Sequence, residues 1–257
     1  MELKRIRLAA GEIAYLEEGV GEPLLFLHGA IATSEAYTPL LSLLSRTYHV
    51  LAPIHPGHGA SFSIPKDWKL TNIISCYREM MTEMGFAPAY LVGHSFGGTL
   101  SLLLGELLPA KHIVVMDAPG LPFDFSLIDY SQMIINEGRD FLRKSRDRGD
   151  FKEAARAAGT LVNTVFRHPD NIPTVVRSGP KYNITGNLRR ITTPVDIFWG
   201  AEDLIVPVAI GRDMETFIPT AHLTVYSGRG HNYPVTEPLF TYSEIQRVLC
   251  AKSATKP

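Results

Sequence analysis

The sequence has little cysteine, only two residues in 257. Cys76 falls in a helical pattern and Cys250 lies near the end of the chain, and neither stands at the spacing of a metal site. Two cysteines exclude the disulfide framework that stabilises many small secreted domains. We therefore expect both to be thiols in a reducing compartment.

Long hydrophobic runs are also missing, since no stretch approaches the roughly 20 apolar residues of a membrane-spanning helix. The first residues, MELKRIRLAAGEIAYLEEG, alternate charged and apolar side chains and lack the apolar core of a signal peptide. This pattern predicts a cytoplasmic protein with no membrane partner.

Charge of one sign is scarce as well. The 25 basic and 26 acidic residues leave a net charge of -1, which creates no field that would attract nucleic acid. No internal repeat is present, and a chain of 257 residues with 45% hydrophobic content can bury one large core. We therefore expect a single domain with an insertion and a small-molecule partner, while the oligomeric state stays open.

What the sequence does contain is a regular alternation of short apolar runs with helical patterns. Residues 2 to 9 and 12 to 17 alternate with period two, which predicts a hairpin. The further predicted strands are 24–27, 48–52, 89–92, 112–116, 195–199 and 222–226. Helical spacing occurs between most of them, so the chain predicts an α/β fold with a mostly parallel sheet covered on both faces.

One turn stands out within this alternation, the Gly-His-Ser-Phe-Gly stretch between the strand at 89–92 and an apolar helix. A turn this sharp requires small residues two places before and two after its centre, where Gly93 and Gly97 stand around Ser95. The G-x-S-x-G pattern is typical of a nucleophile elbow, which exposes a serine oxygen at the end of a sheet. Ser95 is therefore the predicted nucleophile.

Other reactive side chains also follow predicted strands. Ligands of such sheets bind at the carboxyl ends of the strands, and the residues found there are His28, Ser95, Asp117, Asp203 and His231. The order serine, aspartate, histidine is the order of the triad residues in α/β-hydrolases.

The sequence resembles the α/β-hydrolase superfamily, in the branch with an HG-x oxyanion loop and a helical cap after the sixth strand. The matching segments are LLFLHGA, LAPIHPGHGAS, LVGHSFGG, FWGAEDLIVP and GRGHNYPVTEP. The resemblance implies a core domain of residues 1–120 and 191–257 and a helical cap of residues 121–190. One departure is Ile54, where many relatives carry aspartate, and it leaves no predicted role for that loop beyond its shape.

The resemblance also implies a role for each site residue. His231 would take the proton of Ser95, and Asp203 would hold the imidazole in the correct tautomer. The backbone N–H groups of Ala30 and Phe96 would form the oxyanion hole. We expect neither a metal nor a cofactor.

Some neighbours of these residues are expected to have other roles. Asp117 could also reach the histidine, but we expect it to cap the turn into the insertion. The histidines at 28, 55, 58 and 94 are expected to be structural, with His94 pointing away from the cleft.

Several serine branches of the superfamily stay open. A serine nucleophile argues against dehalogenases and epoxide hydrolases, which use a carboxylate at that position. The segment HGA, in place of HGGPG, argues against the proline iminopeptidase type. The lack of a tryptophan after His231 weakens the assignment to meta-cleavage carbon–carbon hydrolases. A carboxylesterase or lactonase is favoured. A carbon–carbon bond hydrolase or another acyl-transfer enzyme comes second, and a non-catalytic ligand receptor third.

The insertion offers two further features. Twelve Arg or Lys and six Asp or Glu lie between Glu137 and Arg190, and we expect this positive excess to face solvent rather than to bind an anionic substrate. Five aromatic residues could line an apolar pocket, namely Phe123, Phe125, Tyr130, Phe166 and Tyr182. Core packing is the commoner fate of such side chains.

Overall fold

The computed structural model describes residues 1–30, 32–123 and 181–251, and five positions between the last two ranges, namely Arg139, Arg143, Gly159, Phe166 and Arg167. Most of the predicted cap, including the pocket candidates Phe125 and Tyr130, lies outside the described residues. No helix in the described part of the chain is long and apolar enough to cross a membrane.

Eight strands form one sheet. Their bounds are β1 Glu2–Arg7, β2 Glu12–Glu18, β3 Glu22–Leu27, β4 Tyr48–Pro53, β5 Tyr90–His94, β6 His112–Met116, β7 Val195–Gly200 and β8 Ala221–Tyr226. The order across the sheet is β1-β2-β4-β3-β5-β6-β7-β8. Strand β2 pairs antiparallel with both of its neighbours, β1 and β4. The pairs β4–β3, β3–β5, β5–β6, β6–β7 and β7–β8 are all parallel. The predicted hairpin and the mostly parallel sheet are therefore confirmed.

Helices connect the strands. The described ones, after a short 3-10 turn at Ser34–Tyr37, are α1 Thr38–Leu44, α2 Leu70–Glu83, α3 Phe96–Leu107, α4 Thr185–Leu188, α5 Val208–Phe217, α6 Tyr233–Thr236 and α7 Pro238–Ala251. The sequence pattern predicts a last helix over 236–249, and the structure starts it two residues later, with the separate short helix α6 before it. Proline at 238 explains why α6 and α7 are separate, since it has no N–H to continue a helix but fits the first turn of a new one.

The core lies on both faces of the sheet. Every residue of β5, β6 and β7 is buried, as expected of strands covered by helices on either side. Because successive side chains point to opposite faces, Leu91 packs into one apolar cluster and Val92 into the other. The central strands therefore provide a rigid base for the loops at their carboxyl ends.

Trp199 connects this base to the loop that follows β7. Its side chain is fully buried, and its Nε1–H donates to the Val206 carbonyl at 3.1 Å. Helix α5 packs on the tryptophan at Gly211, where an added Cβ would lie 2.5 Å from ring atom Cε3. The glycine thus sets the distance between α5 and the sheet beneath the loop of residues 201–207.

We predict that Gly211→Ala lowers the free energy of unfolding by about 1–3 kcal/mol, the range for overpacking a core. The control is Gly186→Ala in α4, where an added Cβ meets only the end of the Arg190 side chain at 3.7 Å. That substitution should be neutral or stabilise by up to about 1 kcal/mol, because alanine favours a helix. Urea unfolding of both variants measures the difference, and equal stabilities would contradict it.

Candidate active site

The candidate nucleophile Ser95 occupies the turn between β5 and α3. Its φ of 53° and ψ of -122° lie outside the regions that residues with a side chain ordinarily adopt, at a cost on the order of 1–3 kcal/mol. The Ser95 N–H donates to the Met116 carbonyl at 2.8 Å, which ties the turn to β6. The sharp turn predicted at Ser95 is therefore present.

Glycine is required on both sides of this turn because other backbone atoms come very close. A Cβ at Gly93 would overlap the Gly97 carbonyl oxygen, and a Cβ at Gly97 would overlap the Leu27 carbonyl at the end of β3. The first turn of α3 therefore rests against β3. Phe96 is the first residue of this helix, so its N–H has no intrahelical acceptor.

The loop of residues 28–30, which follows β3, lies against the same turn. A Cβ added at Gly29 would be 3.4 Å from the Ser95 Cβ. Ala30, whose N–H is the other predicted oxyanion donor, follows directly and is half-buried. The structure thus brings Ala30, Ser95 and Phe96 to one edge of the sheet.

His231 and Asp203 form a buried pair beyond the ends of β8 and β7. Nδ1 of His231 lies 2.7 Å from Oδ2 of Asp203, and their side chains are 6% and 0% exposed. Oδ1 of Asp203 accepts the N–H groups of Ile205 and Val206 at 2.7 and 2.9 Å. These hydrogen bonds offset the cost of burying the carboxylate. A proton on Nδ1, shared with Asp203, makes Nε2 the acceptor nitrogen of a neutral imidazole.

The two loops meet because β7 ends in a glycine. A Cβ at Gly200 would lie 2.5 Å from the Arg229 carbonyl oxygen, and the N–H of Glu202 donates to the same oxygen at 2.9 Å. The segment before His231 therefore packs directly on the end of β7, which sets the distance between the histidine and Asp203.

Asp117 makes a contact that the sequence did not predict. Its Oδ1 accepts the Gly200 N–H at 2.8 Å and joins the ends of β6 and β7. The residue is fully buried and has a φ of 49°. Single side-chain atoms of Asp117, Asp203 and His231 lie within 4.8 Å of one another, so the histidine has two carboxylates nearby.

These three residues are also the group in the described part of the chain that could hold a metal ion. Both oxygens of Asp203 already accept hydrogen bonds, one of them from the imidazole. A cation there would have to displace the Nδ1–H of His231. The donor set fits an acid–base pair better than a metal centre.

His94, which precedes the nucleophile, supports the loop of the catalytic candidate His231. Its side chain is buried, and Nε2 lies 2.9 Å from the His231 carbonyl oxygen, while Nδ1 lies 2.6 Å from the Tyr37 hydroxyl. Burial and then the nearby His231 hold the pKa of His94 well below its usual range. The ring is therefore a neutral linker, with Nε2 as donor and Nδ1 as acceptor.

Sequence reasoning missed the contribution of Tyr37 and underestimated the loop after β4. In the sequence Tyr37 is one of several apolar positions at helical spacing between residues 34 and 46, yet its hydroxyl contacts a histidine 57 residues away. The loop after β4 has more than a role in shape, because His55 and His58 contact carbonyl oxygens of the 28–30 loop. No sequence pattern could have assigned contacts between such distant segments.

The sheet order, the serine turn and the histidine–carboxylate pair together define the class of α/β hydrolases. Residues 24–244 match the model of the Alpha/beta hydrolase family. The chain belongs to that family, as the sequence predicted.

The three similar proteins compared below share at most 33% of their aligned residues with this chain. A Pseudomonas syringae protein, named provisionally as the carbamate hydrolase RutD, is 26% identical over 252 residues, which cover 91% of this chain and 95% of the relative. The (E)-2-((N-methylformamido)methylene)succinate hydrolase of Acinetobacter baylyi is 33% identical over 99 residues, 38% of each chain. The enol-lactonase structure from Burkholderia xenovorans superposes with a TM-score of 0.80 at 14% identity, covering 96% of this chain and all of that one. The last similarity shows the fold alone.

The two carboxylates near His231 lead to a prediction about turnover of an ester. Asp203→Asn should reduce kcat by up to about 10⁴-fold, as in serine proteases, because asparagine favours the wrong imidazole tautomer. Asp117→Asn keeps an oxygen for the Gly200 N–H and should cost about tenfold or less, roughly 1.4 kcal/mol of barrier. Steady-state kcat of the two variants on one ester at neutral pH measures the difference. The reverse order would place the acid on β6.

Proposed function

We propose that this protein is a serine hydrolase that cleaves a small-molecule carboxylic ester or lactone through an acyl-enzyme formed on Ser95. The observation that carries the proposal is the strained turn at Ser95, with the Asp203–His231 pair beyond neighbouring strands of the same sheet. A backbone cost on the order of 1–3 kcal/mol at a serine is typical of a residue held in place for chemistry.

In the proposed reaction His231 takes the proton of Ser95 as the serine oxygen attacks the carbonyl carbon. Asp203 keeps the imidazole oriented and stabilises its charged form. The N–H groups of Ala30 and Phe96 donate to the negative oxygen of the tetrahedral intermediate. The intermediate then expels the leaving alcohol, which receives the proton from His231, and water releases the acid by the same steps.

We further propose that residues 121–190 form a cap over this site and that residues 1–120 and 191–257 form the core domain. Tyr182, near the end of the insertion, supports this arrangement. Its ring lies 6.1 Å from the ring of Phe96, and burial raises its pKa to about 12. Phe123 is half-buried against the core, whereas Phe166 is 88% exposed and does not support a role in the pocket.

The names of the relatives favour acyl chemistry on a small molecule. A carbamate and a formamido compound both contain a carbonyl carbon bonded to nitrogen. A carbon–carbon bond hydrolase or another acyl-transfer enzyme is the second reading, and a non-catalytic receptor is a third. A panel of esters, lactones, carbamates and compounds with a cleavable carbon–carbon bond separates these readings, because each enzyme class breaks a different bond and a receptor breaks none.

Labelling tests the nucleophile directly. A fluorophosphonate should modify Ser95 stoichiometrically, because its phosphorus reacts with a serine activated by a neighbouring base. Mass spectrometry of peptides from the labelled protein identifies the modified residue. Ser95→Ala, with its fold checked by circular dichroism, should lose both the label and the hydrolysis of p-nitrophenyl acetate, and undiminished labelling of that variant would refute the assignment.

The charge of the insertion gives a prediction about specificity. Arg143 and Arg167 are exposed, and charges on a solvated surface contribute little to ligand selection. Arg143→Glu and Arg167→Glu should therefore change the ratio of kcat/KM for a neutral and a carboxylate-bearing ester by less than about twofold. A selective loss on the acidic ester would instead point to a dicarboxylic substrate.

A further inference from the structure

Histidine side chains bind three successive carbonyl oxygens of the 28–30 loop. Nε2 of His55 lies 2.7 Å from the His28 oxygen. Nδ1 of His28 lies 2.7 Å from the Gly29 oxygen, and Nε2 of His58 lies 2.5 Å from the Ala30 oxygen. The three side chains are at most 2% exposed. Because carbonyl oxygens only accept hydrogen bonds, each of these ring nitrogens carries a proton.

The contact at Gly29 determines where the Ala30 N–H points. The Gly29 carbonyl and the Ala30 N–H belong to the same planar trans peptide, in which the two groups face opposite directions. His28 binds the carbonyl from one side, so the N–H faces away from His28. The Ala30 N–H is one of the two groups proposed to bind the oxyanion.

The preceding peptide is held at both ends. Its carbonyl, from His28, accepts from His55, and its N–H, from Gly29, donates to the Tyr37 hydroxyl at 3.2 Å. A rotation of the Gly29 peptide would therefore have to break contacts on either side of it. The loop is fixed before any substrate binds, which is the condition for electrostatic stabilisation of a transition state.

The tautomers of two rings follow from their remaining contacts. Nε2 of His28 accepts the backbone N–H of His55 at 2.9 Å, so the single proton of His28 is on Nδ1. Nδ1 of His55 contacts the Tyr77 hydroxyl, which leaves Nε2 as its donor. Burial, followed by neighbouring histidines, holds the pKa values of His28 and His55 well below the usual range, so both rings are neutral at neutral pH.

We propose that His28, His55 and His58 are positioning residues that aim the Ala30 N–H at the oxyanion formed on Ser95. The inference rests on the proposed hydrolase function and deepens it. The three side chains act on the donor rather than on the substrate, so they should affect kcat and leave KM nearly unchanged. The proposal also assigns a function to the loop after β4, and this function does not require an aspartate at position 54.

Ring tautomers can be measured on the wild-type chain without any substrate. Long-range ¹⁵N–¹H spectra of the labelled protein at neutral pH, assigned with single histidine variants, report which ring nitrogen carries the proton. We expect the Nδ1–H tautomer for His28, the Nε2–H tautomer for His55 and a proton on Nε2 of His58. An Nε2–H or doubly protonated His28 would overturn the proposal, whatever the enzyme hydrolyses.

Kinetics test the link to the oxyanion. His28→Leu removes the donor to Gly29, whereas His28→Asn places an amide N–H close to the position of Nδ1. We expect kcat on a p-nitrophenyl ester to fall about 10- to 100-fold in the leucine variant, less than the 10²- to 10³-fold loss of a donor itself. KM should stay within about twofold, and the asparagine variant should recover most of the lost rate.

Equal kcat values for the wild type and folded His28→Leu, or equal losses in the leucine and asparagine variants, would overturn the positioning role. Should His28→Leu not fold, the pair His58→Leu and His58→Gln gives the same comparison at the Ala30 carbonyl. A wild-type protein with the expected tautomers but no turnover of any acyl substrate would refute the proposed function instead. The two failures are therefore distinguishable.

Discussion

The close contact between the first turn of α3 and the end of β3 is the constraint on which the candidate site depends. Gly97 has no side chain, so the helix can approach the Leu27 carbonyl, and this approach places Phe96 and Ser95 beside the 28–30 loop. Any larger residue would separate the helix from the strand. The proposed nucleophile Ser95 and the proposed donor Phe96 would then move away from the other proposed donor, Ala30, which belongs to the loop after β3.

The strained backbone conformations at this edge of the sheet are stabilised by the packed core below them. Among the described residues, those other than glycine with positive φ are Ser95 and Asp117, at the ends of the adjacent strands β5 and β6. Each costs on the order of 1–3 kcal/mol. Burial of a single large aliphatic side chain contributes about 1.5–3 kcal/mol, and Leu91, Val92 and Val114 are all fully buried in these two strands. The sheet can therefore hold both residues in conformations that an isolated turn would not keep.

Buried histidines connect segments that the sheet alone does not fix. His94 links the serine turn to the loop of His231, and His28 and His55 link the ends of β3 and β4. A neutral imidazole can donate at one nitrogen and accept at the other, so it joins two backbone or hydroxyl groups without burying a charge. The low pKa values that burial gives these rings keep them in that neutral form.

The sequence by itself determined the order of the strands along the chain, the turn at Ser95 and the family, because periodicity and small turn residues are local properties. It also predicted the contact of His231 with Asp203, through resemblance rather than spacing. Only the tertiary structure placed Asp117 on the Gly200 N–H and brought Tyr37, His55 and His58 to the site. These contacts join loops far apart in sequence, and their geometry depends on how closely the strands and helices pack, which no local pattern encodes.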